Sequence, residues 1–418
     1  MKISDIRPEV YDMAANAQER LAGRFAEIDR VAEINTRRVM EAFQNNRVAE
    51  ACFAGTTGYG YDDLGRETLD KIYAEIFGTE AALVRIGFVN GTHALTAAMF
   101  ALVKPGDTIV AVTGMPYDTL RSAIGISGDC HGSLKFYGIN YAQVDLAADG
   151  GPDYAAIAEA AAKPNVTAVM IQRSRGYDNR KALSVDEIGR ICETVKAVNP
   201  EINIMVDNCY GEFTDIKEPT HVGADIIAGS LIKNPGGGLA PTGGYVAGKK
   251  GLVERAAMRL TTPGIGGECG STLGNNRLLF QGLFMAPHIV AQALKTACFC
   301  AAMMEALNIP TSPKPEEPRS DIIQMVKLGS VENMKRFCLG IQSGAPVDSY
   351  VTPEPWEMPG YDCPVIMAAG AFIQGSSIEL SADGPAREPY TVYMQGGLTY
   401  ESGKLGIMMA VSAMLDRQ

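Results

Sequence analysis

Several familiar signatures of ligand chemistry are missing from this 418-residue chain. No G-x-G-x-x-G follows a strand-like run, so a dinucleotide fingerprint is absent. No H-E-x-x-H or G-x-S-x-G occurs, which removes the usual zinc-hydrolase and serine-hydrolase patterns. Gly243 to Lys249 approaches a phosphate loop, but Lys250 stands where a Ser or Thr should bind magnesium. Four histidines lie far apart in sequence, and no metal site is expected. Basic residues form no run, and a formal charge of −11 with a pI near 5.0 argues against nucleic acid and anionic membranes as partners. Nine cysteines are scattered without a C-x-x-C pair, which suggests reduced thiols rather than a disulfide frame. The opening Met1–Pro8 lacks the apolar core of a secretion signal, and no apolar run approaches the roughly 20 residues of a membrane span. A cytoplasmic protein is expected.

What is present reads as a globular enzyme long enough for two domains, or one domain with a large lobe. From about Pro8 to Asn45, Leu21, Phe25, Ile28, Val31, Ile34 and Met40 recur at helical spacing. Such an arm packs on its own domain or embraces a second subunit. Ala54–Tyr61, rich in glycine and tyrosine, is either an ordinary loop or one that meets a partner or ligand. Leu69, Ile72, Tyr73, Ile76 and Phe77 then mark one face of a helix stopped by Gly78. Ala82–Val89 is a strand candidate, and Asn90-Gly-Thr-His-Ala94 leads from it into a helix over His93–Val103. The free N–H groups of such a start suit a phosphate, although many plain helices begin alike.

Alternation continues with strands at Thr108–Val112, Val166–Ile171 and Ile202–Val206. One helix follows Pro116-Tyr-Asp-Thr, and another runs from the Ser184/Glu187 capping box to about Val198. The pattern predicts an α/β protein with a mostly parallel sheet and helices on both faces. Gly243–Gly248 reads as a hairpin strand and about Leu278–Leu307 as a long helical region. Four prolines in Asn308–Pro318 then mark a boundary. The expected division is an N-terminal helical arm (1–50), a large domain (51–307) and a smaller C-terminal α+β domain (308–418).

One stretch stands out, Asp225-Ile-Ile-Ala-Gly-Ser-Leu-Ile-Lys233-Asn-Pro-Gly-Gly-Gly238. A lysine ending a buried strand among small residues is an amine placed to form a Schiff base, or else a phosphate-binding or surface-loop lysine. Asp207 ends the preceding strand, and ligands of such sheets bind beyond the carboxyl ends of the strands. An amine, a carboxylate and a small-residue helix start are the parts that pyridoxal 5'-phosphate requires.

With these residues, Val89-Asn-Gly-Thr-His-Ala94, Pro116-Tyr-Asp-Thr-Leu120, Val206-Asp-Asn-Cys-Tyr-Gly-Glu-Phe213, Ser230–Gly237 and Arg387-Glu-Pro-Tyr through Gly396–Glu401 carry a specific likeness. The chain resembles, over nearly its whole length, a fold type I pyridoxal-phosphate enzyme of the cysteine/methionine-metabolism group. Within that group it is similar to the methionine gamma-lyase-like or aluminium resistance branch, related to cystathionine beta-lyase. The resemblance implies the aspartate aminotransferase-type fold of pyridoxal-phosphate-dependent transferases. By it, Lys233 holds the cofactor and moves protons, and Asp207 pairs with the pyridine nitrogen. Gly91, Thr92 and Ser230 bind the phosphate, while Tyr117 stacks on the ring and assists protonation. Tyr59 matches a tyrosine that reaches the phosphate of a neighbouring subunit, which implies a homodimer or homotetramer with a shared site.

There are departures from the family pattern. Tyr61 stands where an arginine is usual, Ile232 precedes the lysine in place of a hydroxyl residue, and Asn234-Pro-Gly-Gly-Gly is peculiar to this branch. Arg387 best matches the arginine that binds the substrate carboxylate, with Arg173 and Arg175 competing. The implied reaction is beta- or gamma-elimination from a sulfur amino acid of methionine, cystathionine or cysteine type. An aminotransferase or aldolase would use the same parts, and a non-catalytic stress-related binding protein on the same fold is the alternative from another class.

Overall fold

The computed structural model describes residues 1–128, 131–357 and 363–415. Helix α1 (Pro8–Asn45) opens with proline at its first position and buries Val10, Ala14, Ala17, Leu21, Ile28, Val39 and Ala42 along one face. That face lies on α8 (Asn276–Ala306) of the same chain. Asn35, buried in the same stripe, donates to the carbonyls of Phe213 (3.1 Å) and Asp215 (3.0 Å), so the arm also braces the loop after the strand that carries Asp207.

The large sheet contains β1 (Ala81–Arg85), β2 (Thr108–Ala111), β3 (Asn140–Gln143), β4 (Val166–Gln172), β5 (Asn203–Asp207), β6 (Ile226–Ser230) and β7 (Gly244–Gly248). Their order is β1-β7-β6-β5-β4-β2-β3. All pairs are parallel except those of β7, which runs against both β1 and β6. Strands β5 and β6 are almost wholly buried, as expected where helices cover both faces of a sheet. Helices α2 (Leu64–Ile76), α3 (Gly91–Leu102), α4 (Asp118–Ile124), α5 (Tyr154–Ala161), α6 (Val185–Val198) and α7 (Lys250–Leu260) alternate with the strands. The capping box of α6 forms as read: Ser184 accepts from the Glu187 N–H, and Glu187 accepts from the Ser184 N–H. Strand β3 and helices α5 and α7 carry no distinct signal in the pattern above. β3 is a part-exposed edge strand without apolar alternation.

A second sheet, antiparallel throughout, has the order β10-β11-β12-β9-β8. Its strands are β8 (Thr311–Ser312), β9 (Ile323–Lys327), β10 (Val365–Ala368), β11 (Ser381–Pro385) and β12 (Thr391–Gln395). Helices α9 (Val331–Ser343) and α10 (Tyr400–Leu415) pack against each other, α9 also against β10 and β11, and α10 also against α8. Although α8 is long and apolar enough to cross a bilayer by length and composition, 83% of its most apolar window is buried. It is the core helix between α1 and α10.

Candidate active site

Register places the first two site residues. Asp207 is the last residue of β5 and pairs with Ala228 of β6, two residues before β6 ends at Ser230. The chain then turns through Leu231 and Ile232 and brings Lys233 back over the carboxyl edge of the sheet. A short 3-10 turn, Asn234–Gly236, anchors it, with the Asn234 amide donating to the Glu212 carbonyl (3.0 Å). The glycines after the lysine have a steric reason. A Cβ on Gly236 would collide with the Leu231 carbonyl oxygen, and one on Gly237, whose φ is +53°, with the Gly282 carbonyl of α8. The lysine loop is thereby held against the core helix.

Lys233 retains some exposure because it lines a cavity of about 490 Å³, and its Nζ sits 4.0 Å from the centre of the Tyr210 ring. Withdrawal from water by itself disfavours the ammonium. Cys209, Tyr210 and Asp207 together more than offset this and hold it above its ordinary range. Burial pushes the Asp207 carboxyl up, against the Lys233 charge and the Cys209 N–H, which donates to Oδ1 (3.1 Å).

The opposite wall is the start of α3. Asn90 caps it by accepting from the His93 N–H (2.8 Å), leaving the Gly91 and Thr92 N–H groups in the unsatisfied first turn. A Cβ on Gly91 would stand 3.1 Å from Ser230 Cβ and 3.7 Å from Cys209 Sγ, so only glycine leaves this cradle open. The Thr92 and Thr119 hydroxyls share a hydrogen bond (2.8 Å), and the Tyr117 N–H donates to the Gln172 side chain (2.9 Å). Lys233, Asp207, Gly91, Thr92, Ser230 and Tyr117 therefore line one cavity.

Two other expected residues lie elsewhere. Tyr59 is 73% exposed, stacks on Tyr61 at 5.7 Å, and lines a different cleft from the Lys233 cavity. Arg387 is exposed and lines an adjoining hollow of about 700 Å³ that shares Tyr117, Thr119, Gln172, Gly176 and Tyr177 with the cavity. The competing arginines are engaged by the protein itself. Arg175 donates to the carbonyl and hydroxyl of Ser312 (3.1 and 3.3 Å). Arg173 is fully buried on Asn208 (2.8 Å), Thr214 (3.1 Å) and Glu218 (3.4 Å). Arg173→Met leaves the fully buried Glu218 with a weakened counter-charge, and should cost about 3–5 kcal/mol. Urea unfolding of the variant beside the wild type measures this, and a loss below about 1 kcal/mol would contradict the scaffold role.

The structure adds site residues that the sequence did not single out. Tyr210 adopts φ +69°, a conformation uncommon for a bulky residue, and faces the Lys233 amine with its ring. Asp383, from β11, lines the cavity on the side of the second sheet. Burial raises its carboxyl to about 7, against a hydrogen bond with Tyr177. Its Oδ1 and the Ser376 Oγ are buried without a hydrogen-bond partner. From sequence no element is assigned to Asp383, and its pairing with Tyr393 and Met367 places it in a strand.

A lysine past the end of one parallel strand, a carboxylate at the end of its neighbour and a small antiparallel sheet closing the cavity define the fold type I architecture. The pyridoxal-5'-phosphate-dependent protein YhfS from Escherichia coli shares that fold, with a TM-score of 0.62 at 17% identity over 91% of this chain and 95% of its own. The sequence pattern of the methionine gamma-lyase family matches residues 10–415, and the chain belongs to that family. It is 48% identical over 406 residues to YnbB of Bacillus subtilis, an uncharacterized protein, covering 97% of this chain and 96% of that one. It also superposes, with a TM-score of 0.94 and 52% identity, on a carbon-sulfur lyase involved in aluminum resistance from Clostridium novyi, covering 98% of this chain and 96% of that one.

Proposed function

We propose that this protein is a pyridoxal-phosphate-dependent carbon–sulfur lyase that expels a thiol from Cβ or Cγ of a sulfur amino acid. The observation that carries the reading is the convergence of the Lys233 amine, the Asp207 carboxylate and the open α3 terminus on one cavity of about 490 Å³. That volume suits a small cofactor with an amino acid, and the Gly91 cradle, which a Cβ would fill, fits a phosphate at the positive end of a helix. Bound there, pyridoxal phosphate supplies an electron sink for the pair left at Cα.

The chain's own residues do the rest. Gly91 and Thr92 N–H groups and the Ser230 hydroxyl would hold the phosphate, and Tyr117 would pack against the ring. Asp207 keeps the ring nitrogen protonated. The Lys233 Nζ would take the Cα proton of the substrate. Tyr117 delivers a proton to the departing sulfur. Arg387, facing the adjoining hollow, receives the substrate carboxylate, since Arg173 and Arg175 are engaged by the protein.

Two copies share the site in this reading, as a dimer or a pair of dimers. Tyr59, Tyr61 and Leu273 form an exposed face, tied together by the bonds of Gly270 N–H to Tyr59 O (2.9 Å) and Leu273 N–H to Thr56 O (3.0 Å). The described cysteines are free thiols, which suits a reducing compartment such as the cytoplasm. Incubating the purified, cofactor-loaded protein with thioether amino acids should release thiol, ammonia and keto acid in equal amounts. Amino transfer without thiol release, or liberation of an aldehyde, overturns the reading.

A further inference from the structure

The two sheets contribute different chemistry to the lining of the cavity. At the sheet edge, the Lys233 ammonium faces Asp207. On the side of the second sheet, Asp383 is 7% exposed, and no basic side chain counters the effect of its burial. One carboxyl oxygen is engaged by Tyr177, while Oδ1 has no donor, and the Ser376 Oγ, elsewhere in the lining of the same cavity, is equally unpaired. Among the described residues lining the cavity, Lys233 is the one cation, and it is committed to the cofactor. A buried carboxylate oxygen left without a donor costs free energy that a ligand bearing a donor recovers. A methyl thioether offers Asp383 nothing, whereas an ammonium offers a charge-assisted hydrogen bond.

We propose that Asp383 is a specificity site for the far end of the substrate, so that the preferred sulfur amino acid is a thioether carrying a second amino group. The recognition rests on the lyase reading only for what happens next at the carbon–sulfur bond. The test uses matched pairs that differ by one ammonium in place of a methyl. Turnover pairs are S-(2-aminoethyl)-L-cysteine against S-propyl-L-cysteine, together with the corresponding homocysteine thioethers, assayed by thiol release. Binding pairs are L-lysine against L-2-aminoheptanoate, which lack the sulfur leaving group, titrated calorimetrically into the holoenzyme at pH 8.

The wild type should favour the amine-bearing member of each pair by at least about 10-fold, and the near-isosteric Asp383→Asn variant should lose that preference. Equal affinity of the wild type for lysine and 2-aminoheptanoate overturns the proposal without need of any variant, as does a preference that survives in D383N. Thiol release from both thioethers at equal kcat/KM has the same consequence. A lysine preference that D383N abolishes, with no thiol released from any thioether, supports the Asp383 site and sinks the lyase reading instead.

Discussion

Lys233→Ala should be inactive, with turnover lowered by about 10⁴-fold or more, because in the proposed function one side chain both holds the cofactor and moves the Cα proton. No neighbour can replace it. Among the described residues lining the cavity there is no second amine, and Arg387 lies in the adjoining hollow. The change also removes the cation that faces the Tyr210 ring at 4.0 Å and that counters the burial of Asp207. The variant should therefore lose the visible absorbance of cofactor-loaded protein while keeping the far-ultraviolet circular dichroism of the wild type. A small primary amine added in solution should restore part of the turnover, since it supplies the missing base without the tether. Undiminished yellow colour and turnover in the variant would sink the assignment of Lys233.

Asp207→Asn should lower kcat by about 10²–10³-fold while cofactor still binds, a range typical for loss of one preorganised electrostatic partner. The substitution is nearly isosteric, and its amide oxygen still accepts the Cys209 N–H that now reaches Oδ1 at 3.1 Å. What is lost is the fixed negative charge at the end of β5, which in the proposed function keeps the ring nitrogen protonated. The effect should appear in kcat more than in KM, because the stabilised charge develops after substrate has bound. Retention of kcat within about threefold would place the acid elsewhere. Comparison with the lysine variant separates the roles: one loses the covalent hold, the other keeps it and loses the electronic support.

Much of the frame was legible because it depends on local periodicity. The helical span of α1, the buried runs of β4, β5 and β6 and the capping box of α6 lie where the residue pattern put them. Within α1, however, the buried face keeps only Leu21 and Ile28 of the expected stripe and runs on through Asn35 and Val39, leaving Ile34 and Met40 exposed. The carboxyl-end rule for parallel sheets then brought Asp207 and Lys233 together before any distance was known. Residues that act through partners far along the chain were less legible. Arg173 and Arg175 are of the right type to bind a carboxylate, yet their partners, Asn208, Glu218 and Ser312, lie 35 to 137 positions away.

The stretch Asp383–Arg387 shows the difference most directly. Its arginine was the candidate from type and family likeness, while its aspartate was not singled out. In the fold, β11 pairs with both β10 and β12, and that pairing brings Asp383 to the Lys233 cavity while Arg387 falls beyond the strand end. The glycines after Lys233 divide in the same way. Sequence alone established a lysine at the end of a buried strand followed by residues without side chains. Only tertiary packing against Gly282 of α8 decided why side chains are forbidden there, because a backbone-to-backbone approach between segments some 45 residues apart leaves no periodic trace in either of them.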